Sequence, residues 1–122
     1  MDQITYKDFA KVEFRIGEIV EAINVEESEK LIRMVVDFGQ DLGQKVVYSG
    51  IRHWYSPADL LNKKTVFVVN MLPKKIMGEE SGAMIFGASS FVKTSADKED
   101  EEGDQLSILI LEKDLPKGTK VF

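Results

Sequence analysis

Apolar positions in this chain recur mostly every second residue, in short bursts separated by polar or glycine-containing gaps, which is the pattern of β-strands rather than long helices. Over residues 12–25 the alternation runs through Val12, Phe14 and Ile16 and resumes at Ile19 and Ile23. Gly17 interrupts it, at a point where a β-bulge would bend a long first strand. Residues 31–38 are rich in branched apolar side chains and lead into Gly39 and Gly43, predicting a second strand and a turn, and residues 44–49 predict a third strand. Residues 65–69 are nearly all apolar and include three valines, the mark of a central strand buried on both faces. Residues 84–91 and the leucine- and isoleucine-rich residues 106–111 read as two more strands, the second of them buried.

Two short helices fit between these strands. Thr5 with Asp8 three residues later predicts a capped turn at the start of the chain, with Tyr6 and Phe9 able to anchor it on the core. Ser56, Pro57 and Asp59 supply an N-cap, a first-turn proline and an early acid for a helix over residues 57–61. Five or more strands with no long helix between them favour an antiparallel all-β sandwich or small barrel over any βαβ arrangement.

With 122 residues the chain is sized for one domain. No apolar run approaches the roughly 20 residues a membrane helix needs and no secretory pattern opens the chain, so the cytoplasm is the expected compartment. Cysteine is absent, which removes disulfides, thiolate metal sites and thiol nucleophiles. His53 is the only histidine, Ser49 forms no evident triad with it, and neither a P-loop nor a Gly-x-Gly-x-x-Gly pattern occurs. Neither catalysis nor a cofactor or metal is expected. The net charge of −5 argues at first against a polyanionic partner. Residues 97–104, however, hold six acids and one base, so the rest of the chain is neutral and can still carry a basic face. That acidic stretch reads as a solvated connection between strands, with repulsion of misplaced RNA as the alternative.

Residues 70–84, NMLPKKIMGEESGAM, carry the candidate chemistry. Asn70 offers donors and an acceptor, Pro73 stiffens a turn, Lys74 and Lys75 bring positive charge toward a phosphate chain, and Gly78 and Gly82 permit close backbone approach. The same residues also make an ordinary surface loop with solvated lysines, and chemistry alone does not choose.

The stretch resembles the signature of the tRNA-binding domain found at the C-terminus of bacterial methionyl-tRNA synthetases, in their beta-subunit-like and EMAP II-like relatives, in free-standing tRNA-binding proteins and in CsaA-type chaperones. The family pattern is matched at Asn70, Pro73, Lys74, Lys75, Gly78, Ser81 and Met84, and it departs at Ala83, where glycine is usual. The resemblance extends to Asp8, Phe9, Lys11 and Val12, to residues 15–20, and to Val47, Ser49, Gly50 and Ile51. In the turn before Leu31 only Lys30 and Leu31 survive, and Glu26, Glu27 and Glu29 make that edge less favourable to phosphate.

The resemblance implies a five-stranded Greek-key OB-fold barrel with short helices and a C-terminal extension, and a tRNA-binding role, free-standing or in trans to a methionyl-tRNA synthetase. It implies recognition of tRNA by shape and backbone contacts, through Lys30, Asn70, Lys74, Lys75, Ser81 and Met84 with Arg33 and Arg52 as weaker candidates. Met84 would pack on a base or sugar, or alternatively fill core space. Trp54 and Tyr55 would stack on bases or pack their loop against the body. A homodimer formed by residues 106–122 with Tyr6 and Phe9 is implied too, and a CsaA-like chaperone or protein-interaction dimer is the alternative function.

Overall fold

The computed structural model describes residues 1–90 and 105–122. Its elements in chain order are α1 (Tyr6–Ala10), β1 (Phe14–Asn24), β2 (Ile32–Asp37), β3 (Gln44–Ser49), α2 (Pro57–Leu60), β4 (Lys64–Val68), β5 (Lys74–Ile76), β6 (Glu79–Ser81), β7 (Met84–Ile85), β8 (Gly87–Ser89), β9 (Leu106–Ile108) and β10 (Lys120–Val121). Antiparallel pairing runs in the order β3-β2-β1-β4-β7. Just before β7, the Gly82 N–H donates to the Val46 carbonyl at 2.8 Å and so brings the two ends of that path together. The result is a nearly closed five-stranded antiparallel barrel of OB-like order. β2 pairs with β1 from Glu18 to Asn24, and β10 from the C-terminus pairs with β1 at Phe14 and Arg15.

Strand alternation fills the barrel. In β2, Ile32, Met34 and Val36 are buried while Arg33, Val35 and Asp37 face outward, the period of two that the sequence pattern carries. Phe38 and Phe67 meet edge to face at 5.3 Å in the centre, and Leu60 of α2 joins the same core. α2 has a reciprocal capping box between Ser56 and Asp59, and α1 is capped by the Thr5 hydroxyl accepting from the Asp8 N–H. The C-terminal segment is strapped to the barrel by Lys117, whose ammonium lies 2.9 Å from Asp37 and 3.8 Å from Glu18. Its bond to Asp37 raises the Lys117 pKa and lowers that of Asp37.

Several expectations change. The irregularity of β1 falls between Ile19 and Glu21, not at Gly17. Gly17 serves close packing instead, because a Cβ there would lie 2.5 Å from Val36 Cγ1 and 2.6 Å from Phe38 Cε1. Tyr6 and Phe9 do not anchor α1 on the core: no residue of α1 is buried, and the two rings begin an aromatic ladder that continues through Phe14 to Phe86. The strand expected over residues 84–91 is two short pieces, β7 and β8, interrupted at Phe86, with Phe91 outside the described residues. The buried strand expected over residues 106–111 ends at Ile108; Leu109 and Ile110 are exposed, and Ile110 makes only an isolated bridge to Thr65. Tyr55 packs against the core, and its hydroxyl accepts from the Ile108 N–H. The acidic stretch 97–104 lies outside the described residues.

Candidate nucleic-acid interface

β4 ends at Val68, and the chain then leaves the barrel wall to form a two-stranded ribbon, β5 and β6, before returning as β7. The ribbon pairs Lys74 with Ser81, Lys75 with Glu80 and Ile76 with Glu79. Its two-residue turn, Met77 and Gly78, has φ of 53° and 80°; the pair of positive φ values matches the right-handed twist of the flanking strands and is natural for Gly78. Alternation then sorts the side chains by face. Lys74, Ile76, Glu79 and Ser81 share the face turned to the barrel, and Lys75 and Glu80 share the opposite one.

The inward face is bonded to β2 and β3. Arg33 grips the Glu79 carboxylate with two parallel bonds, Nε to Oε1 at 2.8 Å and Nη2 to Oε2 at 2.9 Å. The Tyr48 hydroxyl donates to the same Oε1 at 2.8 Å, and the Ser81 hydroxyl accepts from the Tyr48 N–H at 3.1 Å. Arg33 first, then Tyr48, holds the Glu79 carboxyl down at about 2. The same bonds raise the Arg33 pKa, while burial, followed by Glu79, raises that of Tyr48.

Two surface depressions meet at Tyr48. One, of about 190 Å³, is lined by Lys74, Ser81 and Met84 together with Met71, Leu72 and Ile76. The other, of about 350 Å³, lies between Arg33, Met77 and residues of the β1–β2 turn that include Glu26 and Glu27. Lys74 and Lys75 are exposed, and no carboxylate among the described residues pairs with either. An arrangement of this kind, with the Lys74 ammonium, unpaired among the described residues, beside apolar walls that include Met71 and Met84, can take a phosphate at its rim and flat or aliphatic groups in its floor.

The expected site residues therefore divide. Lys74, Ser81 and Met84 come together around one depression, and Met84 is 47% exposed rather than filling core space. Arg33 joins them through Glu79 and Tyr48, with its guanidinium already committed. Lys75 points from the far side of the ribbon. Lys30 is exposed on the neighbouring turn, and Arg52 braces that turn by donating to the carbonyls of Val25 and Ser28. Asn70 turns away: its Oδ1 accepts from the Glu13 N–H at 2.9 Å and its Nδ2 donates to the Lys11 carbonyl at 2.7 Å. Tyr48, Glu79, Met71, Leu72 and Met77 escaped sequence reasoning. Only the position of Met71 and Leu72, two large apolar residues directly before Pro73 in a polar stretch, offered a signal.

Among the described residues no group of three or more His, Cys, Asp or Glu side chains could hold a metal, and no helix is long and apolar enough to cross a membrane.

The barrel and the ribbon it carries define an OB-type domain. Residues 14–120 match the family model described as “Putative tRNA binding domain”, and the chain belongs to that family. It is 38% identical over 121 residues to a methionine–tRNA ligase of Caldanaerobacter subterraneus subsp. tengcongensis, matching 99% of this chain and 17% of that protein, so it spans about a sixth of that relative's length. Among solved structures, a methionyl-tRNA synthetase-related protein from Pyrococcus horikoshii superimposes with a TM-score of 0.82 at 29% identity, covering 100% of both chains. The chaperone CsaA of Bacillus anthracis does so with a TM-score of 0.79 at 29% identity, over 99% of this chain and 100% of that one.

Proposed function

We propose that this chain binds tRNA through the face formed by the β5–β6 ribbon and the adjoining β2–β3 surface, alone or in trans to a methionyl-tRNA synthetase. The observation that carries the reading is the presence of two exposed lysines, Lys74 and Lys75, with no carboxylate partner among the described residues, on a braced ribbon in a member of the tRNA binding domain family. Lysines on opposite faces of a narrow ribbon suit two phosphate groups of a folded RNA backbone, so recognition is by shape and charge with little base readout. Lys30 on the adjoining turn adds one ammonium beside Glu26, Glu27 and Glu29, and Met84 with Met71 and Leu72 offers an apolar floor for a base or sugar. Arg33 and Arg52 act from behind the surface by bracing it, whereas Asn70 ties the end of β4 to the entry of β1. A tRNA partner fits a cytoplasmic location.

A homodimer is part of the proposal. Tyr6 and Phe122 are 81% and 99% exposed beside a depression of about 350 Å³ that Phe9 and Val12 also line, an apolar surface that a second copy would cover.

The CsaA-like reading is favoured by one specific feature, the exposed Met71, Met77 and Met84, because flexible thioethers suit promiscuous contact with unfolded polypeptide. Parallel titrations of the purified protein with bulk tRNA and with a reduced, unfolded polypeptide separate the two. Micromolar or tighter binding of tRNA with none of polypeptide is expected; the reverse would replace the tRNA reading with the chaperone one.

A further inference from the structure

Strand β5 carries both lysines, yet among the described residues no hydrogen bond joins it directly to the barrel. Among the described residues, the bonds that tie the ribbon down fall on β6 and the residue after it: Glu79 to Arg33 and Tyr48, Ser81 to the Tyr48 N–H, and Gly82 to Val46. A ribbon of three residues per strand is marginal by itself, so its orientation depends on those ties. Glu79 is the outermost of them. It sits directly after the Met77–Gly78 turn, and without it the tip of the ribbon has no polar attachment to the barrel among the described residues.

An acid is also an odd choice on a surface meant for RNA, where a bare carboxylate would repel phosphate. Here the carboxylate is fully engaged by a bidentate guanidinium and a phenol, which offsets its charge locally while using its geometry.

We infer that Glu79 is a positioning residue for RNA binding: clasped by Arg33 and Tyr48, it fixes the ribbon so that Lys74 and Lys75 are held in place before the ligand arrives. The inference rests on the tRNA-binding reading above. It differs from a simple electrostatic account in the sign of one effect. Glu79→Gln removes a negative charge beside the lysines, so electrostatics alone calls for tighter tRNA binding. Positioning calls for weaker binding, because a loosened ribbon must be ordered on association, a loss of about two- to twelvefold in affinity for each side chain so ordered. Tyr48→Phe leaves every charge in place and removes one bond of the clasp; it acts in the same direction with a smaller loss.

The test measures the affinity of wild type, Glu79→Gln, Tyr48→Phe and the charge-swapped Arg33→Glu/Glu79→Arg variant for bulk tRNA at one low salt concentration. It also measures amide exchange of Lys74, Ile76 and Ser81 in the free proteins, whose N–H groups fall at the hydrogen-bonded pairs of the ribbon. Weaker binding by Glu79→Gln and Tyr48→Phe is expected, with faster exchange confined to the ribbon and recovery toward wild type in the swapped pair. Unchanged or tighter binding by Glu79→Gln overturns the inference. If wild type itself fails to bind tRNA, the functional reading falls separately, and exchange then decides: unchanged ribbon protection in Glu79→Gln overturns the positioning role, and faster exchange upholds the clasp.

Discussion

Replacing Asn70 by alanine removes two hydrogen bonds that join the end of β4 to the entry of β1, one from the Glu13 N–H at 2.9 Å and one to the Lys11 carbonyl at 2.7 Å. Each such bond contributes about 0.5–1.5 kcal/mol net. Asn70 is exposed, so water can reach the backbone groups left behind, and the loss should fall in the lower half of the summed range, about 1–2 kcal/mol. For a domain of this size that corresponds to a drop in Tm of roughly 3–10 °C. The effect should concentrate on α1, which buries no residue and depends on this joint and on the aromatic ladder for its position. Asn70→Asp should cost at least as much near neutral pH, because the Oδ1 acceptor is kept while the donor facing the Lys11 carbonyl becomes an oxygen. Thermal unfolding followed by circular dichroism gives the stability term, and tRNA titration gives the functional one. A lowered Tm with affinity within about twofold of wild type is expected. An unchanged Tm with binding lost would refute this reasoning and make Asn70 an RNA contact.

Gly17→Ala should cost about 1–3 kcal/mol by overpacking against Val36 and Phe38, seen as a lower urea midpoint with an unchanged m-value. Acid should loosen the ribbon before it melts the barrel. The Glu79 carboxyl is held at about 2 against an ordinary 4.5, so the clasp is fully present above pH 4.5 and is lost as pH falls toward 2. Ribbon amide exchange should therefore quicken over that window in wild type, and Glu79→Gln should lack the transition.

Much of the barrel is legible in the sequence because its strands obey one rule: β2 alternates Ile32, Met34 and Val36 with outward residues, and β4 is a short valine-rich run. Both helices declare themselves through caps, Thr5 with Asp8 and Ser56 with Asp59. The ribbon is not legible in this way. Its strands have three residues each, mix lysine with glutamate and bury nothing fully, so no period marks them, and Met77 at positive φ carries no glycine signal. Gly17 resembles a bulge because both uses of glycine interrupt a strand pattern alike, and only the proximity of Val36 and Phe38 separates them. The candidate site is half legible for a related reason. The resemblance names Lys74, Ser81 and Met84, which the fold gathers around one depression, but residue type cannot say that Arg33 is already taken by a glutamate 46 residues away or Asn70 by a backbone 59 residues away.

The central claim is that Lys74 and Lys75 meet RNA phosphates, and the salt dependence of tRNA binding tests it most directly. Affinity of wild type and of Lys74→Ala/Lys75→Ala should be measured from low to physiological salt and plotted as logarithms. Two lost phosphate contacts should flatten the slope by roughly 1.5, with weaker binding at low salt. Parallel lines for the two proteins, or binding by wild type that ignores salt, would contradict the account.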